Sequence, residues 1–106
     1  MVDEVNIEEL SRLHDQIEEL ANGERFGANH YDYPSNINLF ELLVEQFYDK
    51  ASNVECPINI LRNILDGQGS LNRQFIYLRN RQCINKFEAM KNIFSEIDHM
   101  MIELKK

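Results

Sequence analysis

The chain contains three histidines and two cysteines, the residue types that most often carry metal or nucleophilic chemistry. Glu96 and His99 form an ExxH pair, the spacing that di-iron carboxylate bundles use on one helical face. Such a centre needs this pair twice and glutamates from two further helices, whereas the chain has the pair once. His14 lies one turn before Glu18, but a metal site needs three or four convergent ligands. We therefore predict a solvated His99 and neither a metal nor a cofactor.

The cysteines and the glycine-rich segment 66–70 do not form a recognisable catalytic motif. Cys83 falls in an apolar heptad pattern, and Cys56 precedes Pro57 at a predicted helix start. A catalytic thiol needs a positioned base and a lowered pKa, and the spacing supplies neither. The segment DGQGS lacks the lysine of a phosphate-binding loop. We predict reduced, partly buried thiols and a protein that is not an enzyme.

Three acids recur every four residues at Glu41, Glu45 and Asp49, and on a helix they stack on one face. All-α nucleotide pyrophosphatases bind magnesium through paired ExxE and ExxD motifs, and this spacing differs from theirs. We therefore interpret the three carboxylates as a solvated acidic face.

The amino-terminal segment has the pattern of an amphipathic helix over about 7–21. Asn6 and Glu9 have the spacing of a capping box. Asn22-Gly23 supplies a stop, because glycine accepts the left-handed conformation after a helix. The apolar residues follow at steps of three and four: Leu10, Leu13, Ile17 and Leu20.

A second helix is predicted after Ser35, beginning at Asn36 or Leu39. Its apolar face, which Leu39 and Leu42 are expected to widen, comprises Phe40, Leu43, Val44, Phe47 and Ala51.

The carboxy-terminal half predicts a short helix over 57–65, because Pro57 suits a first turn and the glycines of 66–69 favour a stop. Ser70 is expected to cap the next segment, which has no Gly or Pro up to residue 106. A break near 79–82 or a separate fourth helix is predicted, and a strand over 74–78 is a less favoured alternative. Three heptads are formed by Cys83, Phe87, Met90, Phe94, Ile97, Met101 and Leu104.

These elements predict one all-α domain over residues 1–106, a mostly antiparallel bundle of four to five helices with a long C-terminal helix. Apolar residues make up 43% of the chain, enough for a core and too many for a disordered tail. No apolar run is long enough to span a membrane. The acidic start is unlike a secretory signal, so we expect a cytoplasmic protein.

Charge is unevenly distributed along the chain. Residues 1–55 carry thirteen acids and three bases, whereas residues 56–106 carry five acids and eight bases. The two halves can neutralise each other across the bundle, or the acidic half can dock a basic partner. A third interpretation takes Arg73, Arg79 and Arg81, with nearby aromatics, as a nucleic-acid patch. The formal net charge of −7 disfavours binding to a polyanion.

The non-periodic segment 23–35 is longer than most connections between helices, and such loops tend to be functional or held by their own side chains. Tyrosines are good interface anchors. We expect this loop to contact a partner, to fold back over the groove between the first two helices, or to do both. The candidate contact residues in the loop are Phe26, His30, Tyr31, Asp32 and Tyr33.

Together these features predict a small acidic protein-binding module that inhibits or regulates a basic protein partner. Glu8, Asp15 and Glu19 are the acids expected to steer that partner. Immunity proteins, antitoxins, secretion chaperones and phage-encoded inhibitors share this size and charge, which is an analogy of class and rests on no motif. The alternatives are a homodimer through the C-terminal heptads and a nucleic-acid-associated protein that uses residues 73–91.

Overall fold

The computed structural model describes residues 4–23, 34–80 and 86–106, and within them the chain is all-helical. None of the described helices is long and apolar enough to cross a membrane. The described helices are α1 (Glu4–Asn22), α2 (Pro34–Ser52), α3 (Ile58–Arg79) and α4 (Lys86–Lys105).

Helix α1 confirms the predicted apolar stripe and the predicted stop. Gly23 has φ 63°, and its amide donates to the carbonyl of Glu19 at 3.2 Å, which is the five-to-one bond of a left-handed helix end. The helix begins at Glu4, so Asn6 lies inside its first turn and the predicted capping box is wrong. The four predicted core residues are buried: Leu10, Leu13, Ile17 and Leu20.

Helix α2 begins at Pro34. Proline suits this position because the amide N–H that it lacks would have no partner within the first helical turn. Most of its predicted apolar face is completely buried, comprising Phe40, Val44, Phe47 and Ala51. Leu39 and Leu42 do not widen this face, because they are 46% and 51% exposed.

Helix α3 contradicts the predicted short helix over 57–65. It continues through Gly67 and Gly69, and it includes the segment for which a strand was the alternative. Ser70 is therefore not a cap. Its hydroxyl donates back to the carbonyl of Gly67 at 2.9 Å and accepts a hydrogen bond from the Gln74 amide at 2.8 Å.

The predicted break near 79–82 is confirmed at Asn80, whose extended backbone ends α3. Lys86, the first residue of α4, donates from Nζ to the carbonyl oxygens of Leu78 at 2.7 Å and Asn80 at 3.3 Å. These bonds satisfy acceptors that the end of α3 leaves unpaired. The C-terminal helix α4 has 20 residues, and α3 has 22.

Each helix packs against two others in the described residues, α1 and α3 both contacting α2 and α4. This arrangement surrounds one core to which all four helices contribute. Helix α4 supplies Met90, Ile93, Ile97, Met100, Met101 and Leu104 to it.

Candidate functional site

A groove of about 840 Å³ lies between α3 and α4, and its volume is in the range of small-molecule sites. Tyr48 reaches it from α2, on the core side. The polar lining from the other two helices includes Asn63, Asp66, Ser70, Asn92, Glu96 and His99.

Tyr48 reaches the groove because its register on α2 points it inward. It lies four residues after Val44 and three before Ala51, so it belongs to the apolar face of α2. The Tyr48 ring is completely buried and packs edge-on against Phe47, with centroids 6.0 Å apart. The sequence analysis did not include Tyr48 in that face, although the same spacing rule would have placed it there.

Gly67 provides the space that the Tyr48 ring occupies. A β-carbon built at Gly67 would lie 2.8 Å from Tyr48 Cε1 and 2.9 Å from the Tyr48 hydroxyl oxygen. Both distances are shorter than ordinary van der Waals contact, so only a glycine lets the ring lie against the backbone of α3. The glycine that was expected to end a helix instead admits an aromatic ring.

The Tyr48 hydroxyl is buried and has no hydrogen-bond partner within the described residues. Burial first, and then the charge and hydrogen-bonding capacity of the Glu96 carboxylate, which approaches the hydroxyl without reaching normal hydrogen-bond geometry, raise the pKa of Tyr48 above its ordinary value. The side chain therefore remains a neutral phenol that can both donate and accept a hydrogen bond.

The groove is lined by carboxylates on both of its walls. Asp66 on α3 and Glu96 on α4 are exposed, and neither forms an ion pair within the described ranges. Glu103 is paired with Lys106, at 3.2 Å between Nζ and Oε1. His99 is exposed, as predicted. Across residues 4–23, 34–80 and 86–106, no three His, Cys, Asp or Glu side chains are arranged to hold a metal ion.

The acids of α1 form a second candidate surface. Glu8 is exposed, and the Asp15 side chain is 78% exposed, whereas Glu19 is half-buried. Glu9 accepts a hydrogen bond from Lys50 Nζ at 2.7 Å, which lowers the pKa of Glu9. Glu8 and Asp15 are thus exposed to solvent, although Asp15 also contacts His14, and Glu9 is paired with Lys50.

His14 joins α1 to α4. Its Nδ1 lies 3.0 Å from Asp15 Oδ1, and its Nε2 lies 2.8 Å from Asp98 Oδ1. Burial alone lowers the pKa of His14, but the two carboxylates outweigh burial, so the pKa is raised. The imidazole ring also packs against Phe94, with centroids 5.0 Å apart. The protonated ring can donate to both carboxylates at once.

The interpretation of a solvated acidic face is wrong for Glu41, which is only 4% exposed. Arg79 of α3 donates to Glu41 from Nε, at 2.8 Å and 3.0 Å to the two oxygens, and also from Nη2. This hydrogen bonding raises the pKa of Arg79. Glu45 and Asp49 are exposed, as predicted.

The contact between Glu41 and Arg79 also concerns the alternative basic patch, to which Arg79 belongs. The Arg79 guanidinium is held by Glu41, Arg73 is exposed, and Arg81 lies outside the described residues. Lys91 lies over the ring of Phe87, with Nζ 4.4 Å from the centroid. Arg79 and Lys91 thus both contact other side chains of the same chain.

The predicted loop contacts lie outside the described residues, namely Phe26, His30, Tyr31, Asp32 and Tyr33, as does Cys83. Cys56 is free and half-buried, and burial raises the pKa of its thiol. A protonated thiol is a poor nucleophile.

Most of the heptad residues of α4 pack into the core of the bundle. Met90, Ile97, Met101 and Leu104 are buried in the core, and Phe94 packs against it. A homodimer through this seam stays a prediction, and it would require the bundle to open or exchange a helix. A sedimentation mass of 12.6 kDa, the mass of one chain, at every concentration would remove it.

Comparison of the chain with protein-family models, curated proteins and solved structures finds no match. The functional argument therefore depends on the two surfaces described above, the α3–α4 groove and the acids of α1.

Proposed function

We propose that this chain is a small, non-enzymatic protein-binding module that inhibits or regulates a basic protein partner. The observation that carries the proposal is the exposure of Glu8 and Asp15 on α1, in a chain of formal net charge −7. The neighbouring Glu9 pairs with Lys50, a cation of α2 from the same acidic half of the chain, and Asp15 lies 3.0 Å from His14 Nδ1. Glu8 and Asp15 nevertheless remain exposed to solvent.

The scaffold would present these acids on a rigid helix. Glu9, near the start of α1, pairs with Lys50, near the end of α2, and Glu41 of α2 pairs with Arg79, at the end of α3. We infer from these pairings that neighbouring helices run in opposite directions, as in an antiparallel bundle. We also propose that the protein acts in the cytoplasm.

The mechanism has two steps. Exposed acids attract a cationic surface and raise the rate of encounter, an effect that weakens as salt screens it. Tyrosines of the loop between α1 and α2 then anchor the complex through buried aromatic area, which lowers the rate of dissociation. Charge would thus set how fast the partner binds, and the loop would set how long it stays.

The test captures partners from an extract with a tagged full-length chain, washed first at low and then at high salt. A variant carries Glu8→Lys, Asp15→Lys and Glu19→Lys. We expect the unmodified chain to retain a basic protein at low salt and to lose part of it at high salt. The variant should retain much less of the same protein.

The matched control carries Glu45→Lys, Asp49→Lys and Glu55→Lys, which changes the net charge equally at exposed positions that are not on α1. It should retain more of the partner than the α1 variant does, because the two variants have the same net charge and only the control keeps the α1 acids. Equal retention by the α1 variant and by this control would reject the proposal. A captured partner that is acidic would reject it as well.

A further inference from the structure

The groove between α3 and α4 contains a buried polar group that the fold leaves unsatisfied. Tyr48 lines the groove, and its enclosed hydroxyl has no partner of normal hydrogen-bond geometry in the described residues, although the Glu96 carboxylate is near it. A buried hydroxyl without a partner is unfavourable, and such groups in native structures call for an explanation. A molecule that enters the groove can provide the missing partner.

The charge of the lining indicates the class of that molecule. Asp66 projects from one wall and Glu96 from the other, and the described lining includes neither Lys nor Arg. An anion would face these carboxylates without a Lys or Arg in the described lining to offset them. A ligand with one positive nitrogen at each end could face both carboxylates, and charge-assisted hydrogen bonds of this kind are the stronger ones.

We propose that this groove binds a linear aliphatic diamine or polyamine. One ammonium group would face Asp66, the other would face Glu96, and an N–H would donate to the Tyr48 hydroxyl oxygen. Asn63 and Asn92 offer further acceptors along the two walls. The site uses α2, α3 and α4, so it goes beyond the proposed function of the α1 acids and does not depend on it.

Gly67 and Ser70 lie where α3 passes over the Tyr48 ring at the base of the groove. Gly67 has no side chain to cover the Tyr48 ring, and the Ser70 hydroxyl is already turned back to the Gly67 carbonyl. No side chain of Gly67 therefore stands between the groove and the buried phenol, and Ser70 does not compete for it.

The test is a calorimetric and NMR titration of the full chain with putrescine, and with butanediol as the uncharged analogue of the same length. The buffer contains about 0.1 M salt, at which charges separated by more than about 10 Å are screened. We expect saturable binding of putrescine, with shifted amide signals on α3 and α4, and none of butanediol.

Four substitutions separate this site from general attraction to an acidic protein. Glu96→Gln and Asp66→Asn should each weaken putrescine binding about tenfold, the loss expected for one charge-assisted bond. Glu8→Gln removes the same charge from α1 and should leave the affinity unchanged. Tyr48→Phe should weaken binding several-fold without lowering the unfolding temperature, a combination that a purely structural residue would not give.

Three results would overturn the proposal: no saturable binding of putrescine, equal binding of butanediol, or a loss in Glu8→Gln as large as that in Glu96→Gln. Partner capture by the α1 acids does not involve Glu96. The Glu96→Gln variant should therefore still capture a basic protein, and the two proposals can fail separately.

Discussion

Gly67 and Gly69 are two glycines inside one helix, and they differ in what surrounds them. Gly69 is exposed, and a β-carbon there would meet nothing within 4 Å. At Gly67 the same atom would lie 2.8 Å from Tyr48 Cε1. Alanine at the two positions therefore gains the same helix propensity but differs in packing.

The magnitudes follow from that difference. Replacing an interior helical glycine by alanine gains about 0.8–1.0 kcal/mol. Gly69→Ala should be stabilised by about that amount, which raises the unfolding temperature by about 4–8 °C. Gly67→Ala gains the same propensity but overpacks the Tyr48 ring, at a cost of about 1–3 kcal/mol. The free energy of unfolding of Gly67→Ala should therefore lie between that of the unmodified chain and a value about 2 kcal/mol lower.

The assay is thermal and urea unfolding followed by circular dichroism, with both variants measured in one buffer. The difference in the free energy of unfolding between the two variants cancels the propensity gain and reports the packing cost alone. Equal stabilisation of Gly67→Ala and Gly69→Ala would refute the packing of Tyr48 against α3, and with it the floor of the groove.

Three further predictions concern buried polar groups. Tyr48→Phe removes a hydroxyl without a described partner, so it should raise the free energy of unfolding by about 1 kcal/mol in urea titrations. His14→Gln should abolish a pH-dependent part of the stability. Because the folded pKa of His14 is raised, that part is complete below the unfolded pKa of about 6.5 and is lost as pH rises through the folded value. The difference between the two chains, measured by urea unfolding across this range, should shrink with pH, and a constant difference would contradict the assignment. Glu41→Gln should lower the unfolding temperature more than Glu45→Gln, because only Glu41 is buried against Arg79, and equal losses would contradict this.

Sequence alone predicted the parts of the fold that depend on neighbouring residues. The apolar stripe of α1 follows from the spacing of residues within one helix. The end of α1 follows from Gly23 alone, because glycine permits the left-handed conformation there. The break at Asn80 was also predicted, from the change of apolar register on its two sides.

The errors occurred where distant residues decide the outcome. The glycines of 66–69 locally indicate a stop, but Gly67 lies inside α3, where the absence of a side chain leaves room for the Tyr48 ring from α2. Glu41 has the same local pattern as Glu45, and only the approach of Arg79, 38 residues away, buries and pairs it. Spacing within one helix carries no information about such contacts.

The groove itself was not predicted, because its walls come from two helices and its base from a third. One signal was available in the sequence. A tyrosine in the apolar stripe of α2 brings a hydroxyl that needs a partner, and the small residues Gly67 and Ser70 mark a place where a ring can approach α3.

The central functional claim is that the acids of α1 speed the binding of a basic partner. The direct measurement is the association rate constant of the captured partner, by stopped flow, as a function of ionic strength. For the Glu8, Asp15 and Glu19 to Lys variant we predict a rate about tenfold or more below that of the unmodified chain, with a flatter dependence on salt. A rate and a salt dependence equal to those of the matched variant at Glu45, Asp49 and Glu55 would contradict the account.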